Sequence, residues 1–269
     1  ILAGISVGAL NVAMLAQHPC GYITDGYDEL TDIWSTIGSD DSIWKHWMIP
    51  YVPGFIYRDS FYNSSPLIEL CRRHISDARA QSSGRKLRIG CVKYGDGEYI
   101  DATETTPELW KWVAASSAFP GFFLPIKIGD ELVIDGGARR ITPLKAAIKA
   151  GATHVDVIVT SRLGTAAAID AKDNFFGTKI TGLKVAARAI DLMGTELFER
   201  DLLLCQLHNK MIAVMGPDAD PGKRYVDVNV ISPGRALAAN SLRFDPDEIR
   251  AMADYGYDVA VEVFSKKMK

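Results

Sequence analysis

The segment Gly4-Ile5-Ser6-Val7-Gly8, close to the start of the sequence, most constrains how this chain can fold. A G-x-S-x-G pattern predicts a strand, a tight turn that carries the serine, and then a helix. Ile1-Leu2-Ala3 supplies an apolar strand end, and residues 9–15 are small or apolar helix formers. We expect glycine on both sides of the turn, because a Cβ there would clash with the strand or the helix.

A second cluster offers the base that a reactive serine at this turn would need. The apolar run Leu132-Val133-Ile134 leads into Asp135-Gly136-Gly137. A serine hydroxyl is a weak nucleophile until an adjacent base accepts its proton. An aspartate at the tip of a strand, beside two glycines, would have its carboxylate exposed at the edge of the sheet and free to do so. The same residues also fit an ordinary Asp-Gly turn, so this segment alone leaves both interpretations open.

Strands and helices alternate along the chain, which predicts an α/β fold. Hairpins are expected at Gly95-Asp96-Gly97 and at Gly129-Asp130. Residues 153–160 are typical of a buried parallel strand. Apolar residues at helical spacing predict a long helix over 180–213 and a last helix over 246–264. The alternation favours three α/β/α layers around a mostly parallel central sheet.

Composition argues against several classes of function. The 269 residues carry a formal net charge of −3, which gives no electrostatic footprint for nucleic acid. No apolar run approaches the roughly 18 residues of a membrane span. Four cysteines are scattered without C-x-x-C spacing, which disfavours a zinc site or a disulfide framework. We therefore expect free thiols, a cytoplasmic location, and no metal or other cofactor.

Aromatic residues are concentrated in residues 43–62. They are Trp44, Trp47, Tyr51, Phe55, Tyr57, Phe61 and Tyr62. Large apolar side chains are usually buried, so one interpretation is an irregular cap packed on the core. The other is an apolar wall or lid for acyl chains that could touch a lipid interface, with Trp44, Trp47 and Phe55 as candidate acyl-binding residues. A lid packs on the core in its closed state, so the cap and the lid interpretations are compatible.

Three motifs in order resemble the patatin-like phospholipases. The segment from Gly4 to Gly8 resembles the nucleophile elbow of that family, and Asp135-Gly136-Gly137 resembles its Asp-Gly-Ala/Gly motif. Between them, residues 115–123 resemble its small-residue helix end and Pro-Gly turn. Residues 143–159 and the terminal helix around Asp254-Tyr255-Gly256-Tyr257 also match, so the resemblance spans nearly the whole chain.

This resemblance implies a lipid acyl hydrolase with a catalytic dyad. Ser6 would attack the ester carbonyl, Asp135 would accept its proton, and the Val7 N–H would help to hold the oxyanion. The implied partner is a phospholipid or another lipid ester, with possible peripheral contact to a membrane. Arg139 and Arg140, just beyond Asp135, could meet a phosphate head group, but a solvated turn is the preferred interpretation.

One departure from the family concerns the residues upstream of Ser6. The family carries a glycine-rich oxyanion loop there, whereas only three residues precede Gly4. We therefore expect a single patatin-like domain over residues 1–269 that lacks a native N-terminal segment with this loop. A signal peptide in such a segment is not excluded.

Two alternatives remain at this stage. An α/β-hydrolase would complete a triad with a histidine after Asp135, and only His154 and His208 qualify. His154 opens a predicted strand and His208 falls within the predicted long helix, so neither is in the expected loop. His18, His46 and His74 precede Asp135 and are expected to be structural. The second alternative is a catalytically silent relative, a binding or storage protein that retains the fold.

Overall fold

The computed structural model describes residues 1–45, 60, 62–160, 182–216, 224–235, 237 and 244–267, with the backbone alone for 182–191 and 267. The chain divides into two compact units. The first contains Ile1–Ala150 and Leu242–Pro246, and the second contains Gly151–Ser241 and Asp247–Lys269. The single domain over residues 1–269 stays a prediction.

A five-stranded sheet lies in the first unit, with strand β2 (Leu87–Lys93) at its centre. Strand β1 (Leu2–Gly4) pairs with β2 in parallel. Strands β3 (Tyr99–Thr103) and β5 (Glu131–Asp135) pair with β2 in antiparallel fashion. Strand β4 (Ile126–Ile128) completes the sheet beside β5. Because β3 pairs with β2 along most of its length, β1 and β5 share the opposite edge.

The ends of β1 and β5 meet on that shared edge. Gly4, the last residue of β1, lies opposite Ile89, and Asp135, the last residue of β5, lies opposite Cys91. The two strands run in opposite directions along β2, so their carboxyl ends face each other across Gly90. This register brings together two segments that are far apart in the sequence.

The sheet is mixed, and the prediction of a mostly parallel central sheet is not confirmed. The α/β class and both predicted hairpins are observed, since β2 and β3, and likewise β4 and β5, are antiparallel neighbours. A tight hairpin can only join antiparallel strands, so the two hairpins impose the mixed character. Only the β1–β2 pair of this sheet is parallel among the described residues. The three-layer arrangement stays a prediction.

Six α-helices are described in the first unit. They are α1 (Val7–Ala16), α2 (Ile23–Thr36), α3 (Ser65–His74), α4 (Asp77–Ser82), α5 (Leu109–Ser116) and α6 (Leu144–Lys149). Helix α1 buries Ala9, Leu10, Ala13 and Met14, and it packs against β1, α2 and α5. Small side chains on this face allow the helix to lie close to the sheet.

Helix α5 is fixed at its start by a side chain from α4. Asp77 accepts the backbone N–H of Glu108 at 2.8 Å and that of Leu109 at 2.9 Å. The first N–H groups of a helix have no intrahelical acceptor, so a carboxylate there satisfies them and also complements the helix dipole. The other end of α5 packs on β2 and β5.

The second unit contains a parallel pair of strands and two long helices. Strands β6 (His154–Ile158) and β7 (Asp227–Ile231) pair with His154 opposite Asp227. Helix α7 covers Gly182–Met215 and helix α8 covers Pro246–Lys267, as the sequence predicted within a few residues. The parallel pairing of β6 is confirmed, but its burial is incomplete, since Ile158 is 74% exposed among the described residues.

No helix in the described part of the chain is both long enough and apolar enough to cross a membrane.

Candidate active site

Ser6 lies at the sharp turn between β1 and α1. Its φ angle of +56° is in a region that non-glycine residues seldom occupy, and it has ψ of −132°. Such a conformation costs about 1–3 kcal/mol and persists only where surrounding contacts enforce it. The side chain is only partly buried. The predicted strand–turn–helix around Ser6 is therefore present, with the strain typical of a nucleophile elbow.

The two glycines of the elbow differ in their steric role. A Cβ at Gly4 would lie 2.3 Å from the carbonyl oxygen of Gly8 and 2.6 Å from a methyl group of Val12. Glycine is therefore required at position 4, as predicted. A Cβ at Gly8 would meet nothing within 4 Å among the described residues. The predicted clash at Gly8 is thus wrong, because the Gly8 backbone lies against Gly4 but a side chain added at position 8 would enter open space.

Asp135 ends β5 and is fully buried, so the prediction that its carboxylate is exposed at the edge of the sheet is wrong. Its backbone N–H donates to the carbonyl oxygen of Ala118 at 3.1 Å. Its side-chain Oδ1 accepts the N–H of Gly137 at 2.7 Å, which fixes the orientation of the carboxyl group. Its Oδ2 has no hydrogen-bond partner among the described residues. One oxygen is thus held by the chain and the other is available for a proton.

Burial raises the pKa of Asp135 to about 7. Removing a carboxylate from water disfavours its charged form, and this effect outweighs the two groups that favour the charge. Those two groups, the Gly137 N–H and the Ser6 hydroxyl, lower the pKa of Asp135 from what burial alone would produce. A carboxyl group with a pKa near neutrality is suited to accept and return protons at physiological pH.

The Ser6 hydroxyl lies beside the Asp135 carboxyl, close enough to influence its pKa. Nevertheless, the carboxyl makes no hydrogen bond of full geometry to Ser6, since its Oδ2 has no partner in the described chain. The Ser6 hydroxyl and the Asp135 carboxyl are therefore close to each other but not aligned for a full hydrogen bond. Catalytic hydrogen bonds are commonly long or poorly aligned in a site without substrate and tighten when substrate binds.

Gly136 permits the close approach of this strand end to β2. A Cβ at Gly136 would lie only 2.4 Å from the carbonyl oxygen of Gly90, whereas one at Gly137 would lie 3.1 Å from the Asp135 carboxylate. Gly136 is therefore needed for packing, and Gly137 supplies the N–H that orients the acid. Both residues of the predicted motif contact the site.

Two further residues at the junction were not identified as candidates from the sequence. Ser116 and Gly90 link the elbow to β2, because the Ser6 N–H donates to Ser116 Oγ at 2.9 Å and Ser116 Oγ donates to the Gly90 carbonyl at 2.7 Å. A Cβ at Gly90 would lie 2.0 Å from the Tyr99 hydroxyl. A glycine inside an apolar strand is a signal of close backbone approach that could have identified position 90.

The start of α1 provides candidate donors for an oxyanion. The N–H of Ala9 donates to the Ser6 carbonyl at 2.8 Å. The N–H groups of Val7 and Gly8 precede it, and groups in this position have no intrahelical acceptor. Val7 is exposed. The partial positive charge of the helix N-terminus thus lies next to the Ser6 hydroxyl.

The aromatic candidates are only partly described. Trp44 is buried, with its ring centroid 4.1 Å from that of Tyr62, so its packing fits the core interpretation. Tyr62 in turn stacks on Phe122, whose ring lies 5.5 Å from Phe119. Phe119 and Phe122 are half-buried and follow directly after Ala118, the residue that accepts the Asp135 N–H.

The other two proposed acyl-binding residues, Trp47 and Phe55, lie outside the described residues. Acyl binding by Trp44, Trp47 and Phe55 therefore stays a prediction.

No histidine shares a hydrogen bond with the side chain of Ser6 or Asp135 among the described residues. His154 begins β6, with Nδ1 2.8 Å from a carboxylate oxygen of Asp227, and His208 lies within α7. The earlier histidines are His18, which contacts Glu29, His74 at the end of α3, and His46, which is outside the described residues.

The arginines after Asp135 are held by the same unit. The Arg140 guanidinium lies 4.2 Å from the centroid of the Tyr99 ring, and Arg139 donates to the carbonyl oxygen of Gly97. Binding of a phosphate head group by either arginine stays a prediction. Over the described residues, no cluster of three or more histidine, cysteine or acidic side chains could hold a metal ion.

Comparison with known proteins points to one family. A family model described as patatin-like phospholipase matches residues 1–148, which is more than half of the chain. The matched region contains the elbow, the acid and all five strands of the first sheet. No curated protein matches the chain.

Proposed function

Because this chain belongs to the patatin-like phospholipase family, we propose that it is a serine-dependent lipid acyl hydrolase that cleaves carboxylic ester bonds through a dyad of Ser6 and Asp135. One observation carries the proposal. A strained serine at a strand-to-helix turn lies beside a buried carboxyl group whose pKa is about 7 and whose Oδ2 has no other partner among the described residues.

In the first step, Asp135 Oδ2 accepts the proton of the Ser6 hydroxyl while Ser6 Oγ forms a bond to the ester carbonyl carbon. The carbonyl oxygen becomes an oxyanion. When this tetrahedral intermediate collapses, the bond to the leaving alcohol breaks and Asp135 returns the proton to that alcohol. The acyl group then remains on Ser6 as an ester.

In the second step, water replaces the alcohol. Asp135 accepts a proton from the water as its oxygen bonds to the acyl carbon. Collapse of the second intermediate breaks the bond to Ser6 Oγ, which recovers the proton from Asp135. The products are a free carboxylic acid and the original enzyme.

The N–H groups of Val7 and Gly8 are the proposed oxyanion donors in the described chain. They lie at the positive end of the α1 dipole, next to the nucleophile. A preorganised N–H aimed at a developing oxyanion contributes about 10²–10³ in rate. Their placement favours stabilisation of the intermediate over the neutral ester.

We propose a phospholipid or another lipid ester as the substrate, reached by peripheral contact with a membrane from the cytoplasm. Support comes from the family and from Phe119 and Phe122, which continue directly from the segment that holds Asp135. Half-buried aromatic rings at this position offer an apolar surface to an acyl chain. The head group and the acyl position are not assigned.

The proposal is tested by covalent labelling of the nucleophile. A fluorophosphonate probe should react once per chain and modify Ser6, as mapped by mass spectrometry of the labelled peptide. Ser6→Ala should abolish labelling, and Ser117→Ala is a control that changes a buried serine outside the dyad. Absence of labelling in the unmodified protein, together with lipid binding, would instead support the silent binding protein.

A further inference from the structure

A buried serine forms a bridge between the nucleophile and the sheet. Ser116 is completely buried at the end of α5. Its Oγ accepts the backbone N–H of Ser6 at 2.9 Å and donates to the carbonyl oxygen of Gly90 at 2.7 Å. One hydroxyl thus uses its donor and an acceptor site to join two backbones.

The bridge ends at the junction of β1 and β5. Gly90 lies between Ile89, which pairs with Gly4, and Cys91, which pairs with Asp135. The same turn of chain also holds the acid, because the Ala118 carbonyl accepts the Asp135 N–H at 3.1 Å. The end of α5 and the turn that follows it therefore bind the backbone of both members of the dyad.

We propose that Ser116 is a positioning residue of the active site, whose hydroxyl clamps the strained Ser6 backbone to strand β2 and so aligns the Ser6 hydroxyl with Asp135. This inference rests on the proposed function. Ser116 does not touch the reacting atoms and acts only through the backbone of Ser6.

Two physical arguments support the clamp. First, the φ angle of Ser6 is unfavourable and needs contacts that hold it, and the N–H of the same residue is where Ser116 binds. Second, the Ser6 N–H is occupied by Ser116, so the oxyanion donors begin at Val7. Loss of the clamp would let the elbow relax and would misplace both the hydroxyl and these donors.

The neighbouring serine provides a matched control. Ser117 is also buried, but its hydroxyl donates to the carbonyl oxygen of Val113 within α5 and makes no hydrogen bond to the elbow among the described residues. Ser116→Ala and Ser117→Ala therefore remove the same atom from adjacent buried positions. Only the first removes a contact to Ser6.

The test measures hydrolysis of a short soluble ester across pH. Ser116→Ala should lower kcat about 10- to 100-fold, as expected for a misplacement on the order of 1 Å, with KM within about twofold. The midpoint of its pH profile should also rise, because a displaced Ser6 hydroxyl lowers the pKa of Asp135 less. Ser117→Ala should change neither quantity. Melting temperatures of both variants identify a loss of folded protein.

The outcome that overturns the clamp is a Ser116→Ala enzyme with unchanged kcat and pH midpoint, or one that loses no more than Ser117→Ala. If Ser116→Ala does not fold, Ser116→Cys is measured in its place, because a thiol is a weaker donor and acceptor and loosens the same bridge. It should lower kcat severalfold and raise the pH midpoint, and unchanged values in this variant would overturn the clamp. If the unmodified protein shows neither turnover nor labelling, the proposed function has failed instead. Hydrogen exchange of the Ser6 amide then decides the clamp, since exchange should be faster in the variant and an unchanged rate would refute it.

Discussion

At the scale of single residues, the carboxyl of Asp135 determines how this molecule should respond to pH. A buried acid that receives one N–H bond and lies beside one hydroxyl has less stabilisation of its charge than water would give. The site therefore keeps a proton acceptor whose affinity for the proton is raised. The raised proton affinity helps Asp135 to act as the base in the proposed reaction. It also lowers the free energy of unfolding at a pH where the buried carboxyl must be ionised.

The pH profile of hydrolysis should follow the ionisation of Asp135. Because the base must be deprotonated, kcat/KM for a short ester should fall about tenfold per pH unit below the pKa of about 7 and level off above it. An aspartate with an ordinary pKa near 4 would give a flat profile above about pH 5. A flat profile between pH 5 and 8 would exclude Asp135 as the titrating base.

The free energy of unfolding should depend on pH in the opposite direction to kcat/KM. The folded-state pKa of Asp135, about 7, is higher than the unfolded value of 3.8, so the folded protein holds the proton more tightly. The stabilising contribution of the protonated form is complete below pH 3.8 and is lost as the pH rises to about 7. Asp135→Asn avoids this loss. At pH 8 it should melt several degrees above the unmodified protein, because 1 kcal/mol corresponds to about 2–4 °C at this size.

Calorimetry at pH 4, 6 and 8 measures this effect, and the difference should shrink toward pH 4. A lower melting temperature for Asp135→Asn at pH 8 would contradict a raised pKa.

The dyad predicts which single substitutions abolish turnover. Ser6→Ala and Asp135→Asn should each reduce kcat about 10³-fold or more, since both act in the same step. His154→Ala and His208→Ala should leave kcat within a few fold in folded protein. The measurement is initial-rate kinetics with a short ester. If a histidine variant were as inactive as Ser6→Ala, the result would favour a Ser-Asp-His triad over the dyad.

At the scale of elements, the site depends on three strands and the glycines between them. Strands β1 and β5 end against each other on β2, and a Cβ at Gly4, Gly90 or Gly136 would lie within 2.4 Å of another atom. At Gly4 and Gly136 the nearest atom is a backbone oxygen, which leaves no space for a larger residue. At Gly90 it is the hydroxyl of the Tyr99 side chain, which can move. The backbone approach that these glycines allow is what brings the nucleophile and the acid together.

The two elbow glycines should respond differently to alanine. Gly4→Ala places a Cβ 2.3 Å from a backbone oxygen, so its melting temperature should fall by several degrees or the protein should not fold. Gly8→Ala enters open space in the first turn of α1, where alanine is favoured over glycine by about 1 kcal/mol. Its melting temperature should be unchanged or higher. Equal destabilisation by both changes would show that the elbow is packed on both sides.

The individual strands, turns and helices can be predicted from neighbouring residues, whereas the packing that brings them together cannot. The elbow, both hairpins and the long helices are encoded by neighbouring residues, through turn glycines and apolar spacing. The pairing of β1 and β5 along β2 depends on contacts between distant segments, and Ser116 lies 110 residues from Ser6. A buried serine within a run of small residues has no local feature that marks its partner. The sequence could therefore predict Ser6 and Asp135 as candidates but not the clamp.

At the scale of the whole molecule, the family match and the first compact unit coincide closely. The match ends at residue 148, and the unit continues to Ala150 before Leu242–Pro246 rejoins it. Every described residue of the proposed site, from Ser6 to Gly137, lies within that unit. The first unit therefore contains the proposed chemistry, and the second unit has its own parallel strand pair.

The aromatic cluster of Phe119 and Phe122, which follows the residue that binds the Asp135 backbone, predicts how the molecule should discriminate between substrates. Replacing Phe119 and Phe122 with asparagine should lower kcat/KM severalfold or more for a long-chain ester and little for a short one. The reason is that each buried methylene contributes about 0.8 kcal/mol, which only the long substrate can lose. Met14→Ala is the contrasting variant, because Met14 is fully buried in α1 and its loss should lower the melting temperature without changing the ratio between the two substrates. Kinetics with esters of two chain lengths, alongside thermal melts, measures both effects. An equal loss on both esters for the phenylalanine variant would assign the cluster to the core and leave the acyl chain to bind elsewhere.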